Sequence, residues 1–291
     1  MKKKLLSLLL LAALLLSLGA CKAIENLSIL QEKQDNMNYI EVDGEIHITG
    51  YTDKTTVTEL RIPDTIENKP VTVIEDFGVS NADSLTKITL GKNVREIGTW
   101  SMTNNQHLAA FEVAEGNETF KAVDGVLFSA DGKTLYYYPC GRGITFDRFG
   151  MAQKDADGND IYVTYEIPDG VERVNDKAFY KCYYVDIVSF PDTIRVIGEK
   201  AFHRCSSLHN FTMPAAIETI GKDAFSYNEN LTELTIGENI REIGDYAFFY
   251  CKNLKNITIH AAEESLTLGD KWQPMDKGKV LKDLTVTFQD G

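Results

Sequence analysis

A 23-residue period runs through this chain, seen when Ala178-Phe179, Ala201-Phe202, Ala224-Phe225 and Ala247-Phe248 are superposed. A unit that short cannot bury its own apolar face, so stacked neighbours must share one continuous core. The fold this dictates is a solenoid, a quasi-one-dimensional stack with long open faces.

Apolar residues close each unit in the pattern L-x-x-L-x-L: Leu208, Phe211 and Met213, then Leu231, Leu234 and Ile236, then Leu254, Ile257 and Ile259. The register extends back through Val185, Val188 and Phe190 to Leu108, Phe111 and Val113 and to Leu85, Ile88 and Leu90. Period-two alternation predicts one short strand per unit, paired in parallel along the stack.

Ten residues before the first Leu stand Glu75, Gly98, Asn175, Gly198, Gly221 and Gly244. Gly with Asn as substitute is what a backbone site at positive φ selects, and Glu75 departs from it. The stretch from this Gly to the A-F pair predicts a turn plus about one helical turn, too short to stand alone. The Phe column, with Val79 and Met102 in its earliest units, is read as a stacked core ladder. Cys182, Cys205 and Cys251 share a column with Ala82, Asn105 and Asn228. A position that accepts Ala, Asn and Cys predicts a small, semi-buried ladder site rather than a disulfide or zinc ligand, and no C-x-x-C pair is present.

These columns resemble the BspA-like leucine-rich repeat family, with the pattern clearest from Ile167-Pro168-Asp169 to Phe190 and from Phe190-Pro191-Asp192 to Met213. Ile48-Thr49-Gly50-Tyr51 and the segment from Asp124 to Leu135 also look like the family. The fold expected is a leucine-rich repeat solenoid, β-rich with short helical turns, its parallel strands at a 23-residue period and both ends capped. The resemblance implies a non-catalytic module on a bacterial surface that contacts host or other extracellular proteins, with adhesion as the role. Capture of glycans for an envelope uptake system is the alternative.

Lys2, Lys3 and Lys4 precede an apolar run from Leu5 to Leu18 and then Gly19-Ala20-Cys21. That is the layout of a secretory signal. Its end resembles a bacterial lipobox, which implies cleavage before Cys21, lipidation there and a membrane anchor. Loss of the signal's three Lys takes the formal charge from −13 to −16. Such acidity disfavours nucleic acid as a partner.

The organisation expected is a signal over 1–21, a tether over 22–36, an N-terminal cap over 37–60, repeats over 61–113, an insertion over 114–164, regular repeats over 165–260 and a C-terminal cap over 261–291. The interval from Leu108 to Val185 is far longer than one period, and Asp124-Gly125 and Asp131-Gly132 within it predict a hairpin or meander. Asp155 to Asp160 lacks Gly at the sixth place of a calcium loop and is read as a solvated turn.

No cofactor motif, H-E-x-x-H or G-x-S-x-G is present, and Ser84-Leu85-Thr86-Lys87 matches S-x-x-K with a core residue inside it. No enzyme is expected. Two open faces are candidates for binding. One is the outward strand stripe of Thr212, Thr235 and Thr258 with Asn210, Glu233 and Asn256 beside it, which strand propensity also explains. The other is an aromatic patch of Tyr183, Tyr184, Tyr227 and Tyr250 with Tyr180 and Phe249, which packing against the next repeat also explains. His203 and His209 fall on variable positions and are expected to be solvated.

Overall fold

The computed structural model describes residues 32–34, 37–52, 54–147, 150–209 and 211–289. They form a β-solenoid of about 9 turns with almost no helix. The alternation in L-x-x-L-x-L produces the expected strands: Glu233–Ile236, Asn256–Ile259 and Thr285–Phe288 pair in parallel, with Leu234 beside Ile257 and Ile257 beside Val286. Glu59–Arg61, Lys87–Leu90 and Ala110–Val113 do the same nearer the N-terminus. In the unit 208–213 no strand is formed among the described residues; there the rings of Phe190 and Phe211 meet at 5.2 Å.

Each turn carries a second strand that the sequence pattern did not announce. Val174, Ile197, Ile220, Ile243 and Leu268 stand side by side in a second parallel ladder of two-residue strands. Two residues are too few to show alternation.

The glycine column is constrained by space rather than by φ. Gly98, Gly198, Gly221 and Gly244 do not have positive φ. A Cβ on Gly244 would lie 2.6 Å from the Lys222 nitrogen and 2.8 Å from the Gly221 carbonyl carbon. The backbones of successive turns touch here, and any side chain would force them apart. Glu75 is tolerated because its neighbour is the terminal hairpin rather than a full turn, and its carboxylate meets His47 Nδ1 at 2.7 Å.

No helical turn follows the glycine. The chain bends twice through i to i+3 hydrogen bonds, as from Ala178 N–H to Asn175 O and from Cys182 N–H to Phe179 O. The bends place non-glycine residues at left-handed φ in two columns, one holding Phe77, Lys177, Lys200, Asp223 and Tyr246 and the other Asn81, Asn104, Lys181, Arg204, Tyr227 and Tyr250. A left-handed residue within each bend is what stops helix propagation. Between the bends Phe179, Phe202 and Phe225 turn fully inward, each N–H donating to the next unit's Ala carbonyl at 2.7–2.8 Å.

The ends are closed by chain that does not repeat. Met37–Val42 and Glu45–Tyr51 form an antiparallel hairpin whose second strand runs parallel to Lys69–Ile74. Glu32–Gln34, inside the segment expected to be a tether, adds a strand to that hairpin. At the other end Gly269 and Trp272 continue the glycine and Ala columns slightly later than the period requires, and the buried Trp272 ring meets Phe248 edge-on at 6.4 Å. The insertion makes the meander of Phe120–Val123, Val126–Ser129 and Thr134–Tyr137, turned at Gly125 and Gly132 with φ of 78° and 80°.

The cysteine expectation is corrected here. Cys140 and Cys182 form a disulfide with Cα atoms 4.7 Å apart. The insertion stacks on the regular repeats: Leu135 pairs with Val174 and Tyr138 packs on Phe179, which brings Cys140 beside the Cys182 column. Nor is the column semi-buried. Cys182, Cys205, Asn228 and Cys251 are fully buried. The three not held in the bridge share one task, donation to turn carbonyls: the Cys205 thiol to Phe179 O (3.0 Å), the Asn228 amide to Phe202 O (2.8 Å) and the Cys251 thiol to Phe225 O (3.1 Å). Burial pushes both thiols well above the ordinary cysteine range.

Candidate functional site

Outward positions of successive units align because the turns stack in register, and two faces result. On the strand face Thr235 stands beside Thr258 and Thr258 beside Thr287, with Glu233 beside Asn256 and Asn256 beside Thr285. Thr212, Glu233, Thr235, Asn256 and Thr258 line one shallow hollow of about 300 Å³, floored by Phe211 and Leu234. Five of the residues picked from the sequence are thus brought together. Asn210 lies outside the described residues, as do Cys21 and the signal segment.

The second face runs along the two bends. Tyr180 stacks on His203 at 5.1 Å, His203 meets Tyr227 at 5.4 Å, and Tyr227 meets Phe249 at 5.7 Å and Tyr250 at 4.9 Å. On the other side of Tyr180 come Trp100 at 5.6 Å and then Phe77, which stacks on Trp100 at 6.2 Å and is 56% exposed. One aromatic edge therefore runs across successive turns from Phe77 to Tyr250. Cations sit over its rings: Lys177 on Trp100 at 4.2 Å, Arg204 on Tyr227 at 4.8 Å and Lys252 on Tyr250 at 4.1 Å.

Tyr183 lies beside this edge, and burial raises its hydroxyl pKa as it does that of Tyr180. Tyr184 does not join it. Its ring meets Phe146 of the insertion at 6.2 Å, and Phe146 in turn packs on His107. Sequence reasoning missed Phe77, Trp100, His203 and Tyr246. Trp100 and Tyr180 are far apart in sequence, and only the short inserted turn, with Leu135 and Tyr138 three apart where Val174 and Phe179 are five apart, lets them touch. The available signal was the offset: Tyr180, His203 and Phe249 all stand five residues after the glycine column.

His203 is half-buried rather than solvated. The Ser226 hydroxyl donates to Asp223 O at 2.9 Å, so His203 Nδ1 carries a proton and donates to Ser226 Oγ at 2.6 Å. Desolvation lowers its pKa to about 4, outweighing the pull of Asp223. As pH falls from about 6.5, the ordinary histidine value, the unfolded chain takes up a proton that the folded one refuses. Stability contributed by His203 is therefore complete above that value and declines toward pH 4. His203→Phe should flatten this decline; urea midpoints for both proteins between pH 4 and 7 would show converging curves, and parallel curves would refute the assignment.

No arrangement for catalysis is built from the motifs weighed above. Ser84 Oγ is turned to the carbonyls of Lys54 and Val57 at 2.9 and 2.8 Å, while Lys87 pairs with Glu59 and Glu112 at 3.0 and 3.5 Å. Asp155 Oδ1 accepts the N–H groups of Asp157 and Asn159 within its own turn. Among the described residues no group of three or more His, Cys, Asp or Glu side chains could hold a metal ion, and no helix is long and apolar enough to cross a membrane.

A family model described as BspA type leucine rich repeat region, in 6 copies, matches residues 44–129 and 160–268. The chain belongs to that family. Among solved structures, this BspA-type repeat chain is similar to the pneumococcal vaccine antigen PcpA, with 19% identity, a TM-score of 0.53 and coverage of 90% of this chain and 88% of the other. A leucine-rich repeat protein from Bacteroides ovatus gives 18% identity, a TM-score of 0.47 and coverage of 89% and 67%. A leucine rich cell surface protein from Faecalibacterium prausnitzii gives 18%, 0.41, and 82% and 97%. The likeness to PcpA is one of fold. No curated protein matches the sequence.

Proposed function

We propose that this protein is a non-catalytic interaction module displayed on a bacterial cell surface, serving adhesion to extracellular or host proteins. The observation that carries the reading is the alignment of variable outward residues into two continuous faces while every core column is spent on stacking. Repeat solenoids use such extended surfaces for binding. Membership of the BspA-type family and the surface or antigen descriptions of similar structures support the location. A lipid on Cys21 would anchor the chain without spanning the bilayer. Cys21→Ser should abolish acyl labelling and release the protein, and persistent labelling would remove the anchor from the account.

The test of the function is a binding screen of residues 22–291 against immobilised matrix proteins and a glycan panel. Saturable binding to a matrix protein is the expected result. Binding confined to glycans would favour the uptake role, and turnover of ester, peptide or glycoside substrates would overturn the non-catalytic reading.

A further inference from the structure

The second bend column, like the first, holds residues other than glycine at left-handed φ. Asn81, Asn104, Lys181, Arg204, Tyr227 and Tyr250 all hold φ between 57° and 63°. Glycine adopts that conformation freely and Asn with little penalty, whereas Lys, Arg and Tyr are strained in it. Strain maintained over successive turns points to a use for the side chains. The four strained residues project side by side on the bend edge, Arg204 exposed and the other three half-buried. The Lys181 ammonium donates to Asn104 Oδ1 at 3.0 Å and lies over Tyr180, and the Arg204 guanidinium lies over Tyr227. Among the described residues neither forms an ion pair with a carboxylate, in a chain of net charge −13. By contrast Lys200 in the adjoining column is neutralised by Glu199 and Asp223 at 2.9 and 3.0 Å.

We propose that Lys181, Arg204, Tyr227 and Tyr250 form a binding edge for a linear anionic glycan, a uronate- or sulfate-bearing chain lying along the solenoid axis. Spacing favours a glycan over an acidic peptide. The edge repeats once per turn, at the strand spacing of ~4.8 Å, which is close to the length of one pyranose unit. Side chains on one side of an extended peptide recur only every ~6.7 Å and fall out of step. The two unpaired cations meet the acidic groups, and the tyrosine hydroxyls further along donate to sugar oxygens. Repulsion from the acidic body is screened beyond ~10 Å at about 0.1 M salt, so the local pair decides.

The inference rests on the reading of the chain as an interaction module, and its failure can be told apart from failure of that reading. Residues 22–291, which contain every contact described, would be tested by biolayer interferometry against heparin, hyaluronan, a neutral cello-oligosaccharide and polyglutamate. Heparin or hyaluronan should bind, more weakly as salt rises, and which of them binds separates sulfate from uronate. Lys181→Gly with Arg204→Gly should weaken that binding by about tenfold or more while the melting temperature holds or rises, because glycine relieves the left-handed strain. Several results would overturn the proposal: no anionic glycan bound, equal binding by the variant, the neutral sugar or polyglutamate preferred, or a variant that loses stability as much as affinity. Binding of a matrix protein alone would overturn it too and leave the module reading standing.

Discussion

Phe225→Ala should destabilise the solenoid by about 3–5 kcal/mol. The ring is fully buried and lies nearly parallel to Phe202 at 5.2 Å and Phe248 at 5.7 Å, with Phe211 at 5.3 Å. Truncation therefore removes the transfer free energy of a large side chain and leaves a cavity between two rings that the backbone holds apart. The Phe225 N–H bonds to Ala247 O at 2.8 Å, so the turn cannot collapse to fill the space without breaking the ladder. Since each turn is stabilised by its neighbours, the loss should spread to the units on both sides. Urea denaturation followed by circular dichroism would report it. Phe249→Ala, on the half-buried bend edge, serves as the control and should cost far less. Equal midpoints for wild type and Phe225→Ala would reject the register.

Loss of the Cys140–Cys182 bridge is the second large effect, with an expected cost of about 2–4 kcal/mol. The bridge closes a loop of 42 residues that includes the exposed segment from Met151 to Tyr162, in which no residue is buried. It also joins the insertion to the regular repeats, where the core passes from one cluster to the other: Leu127 and Tyr137 belong to the N-terminal cluster, Phe128 and Tyr138 to the C-terminal one. Cys140→Ser should lower the urea midpoint, and a reductant should bring wild type to the same value. Cys205 and Cys251, buried with raised pKa, should resist alkylation until the chain unfolds. A wild-type midpoint unaffected by reductant would contradict the bridge's role.

What the sequence made legible was whatever repeats with strict spacing. The Phe ladder, the strand column and the Asp-Gly turns were readable because each residue type follows from a local requirement met again in the neighbouring unit or turn. The glycine column was located correctly, yet its cause lies in the neighbouring turn's backbone, which no single unit displays. Cys140 was unreadable as a partner because its column depends on how the insertion stacks, and the inserted turn omits the two bends. The continuation at Gly269 and Trp272 was obscured by two extra residues and by Trp standing where Ala recurs.

The candidate faces divided in the same way. Thr235 and Thr258 were assignable from alternation, since a strand residue between two core residues must point outward. The aromatic edge was visible only in fragments, for its links from Trp100 to Tyr180 and from Asn104 to Lys181 cross the insertion. Tyr184 shows the opposite error, an aromatic next to Tyr183 in sequence that turns to the insertion instead.

The most direct test of the account is equilibrium binding of residues 22–291 to immobilised matrix proteins, compared among wild type, Thr235→Lys with Thr258→Lys, and Tyr227→Glu with Tyr250→Glu. The account predicts saturable binding by wild type and its loss in one of the two variants, at melting temperatures that remain close. Binding unchanged in both variants, or no binding to any matrix protein alongside turnover of a substrate, would contradict it.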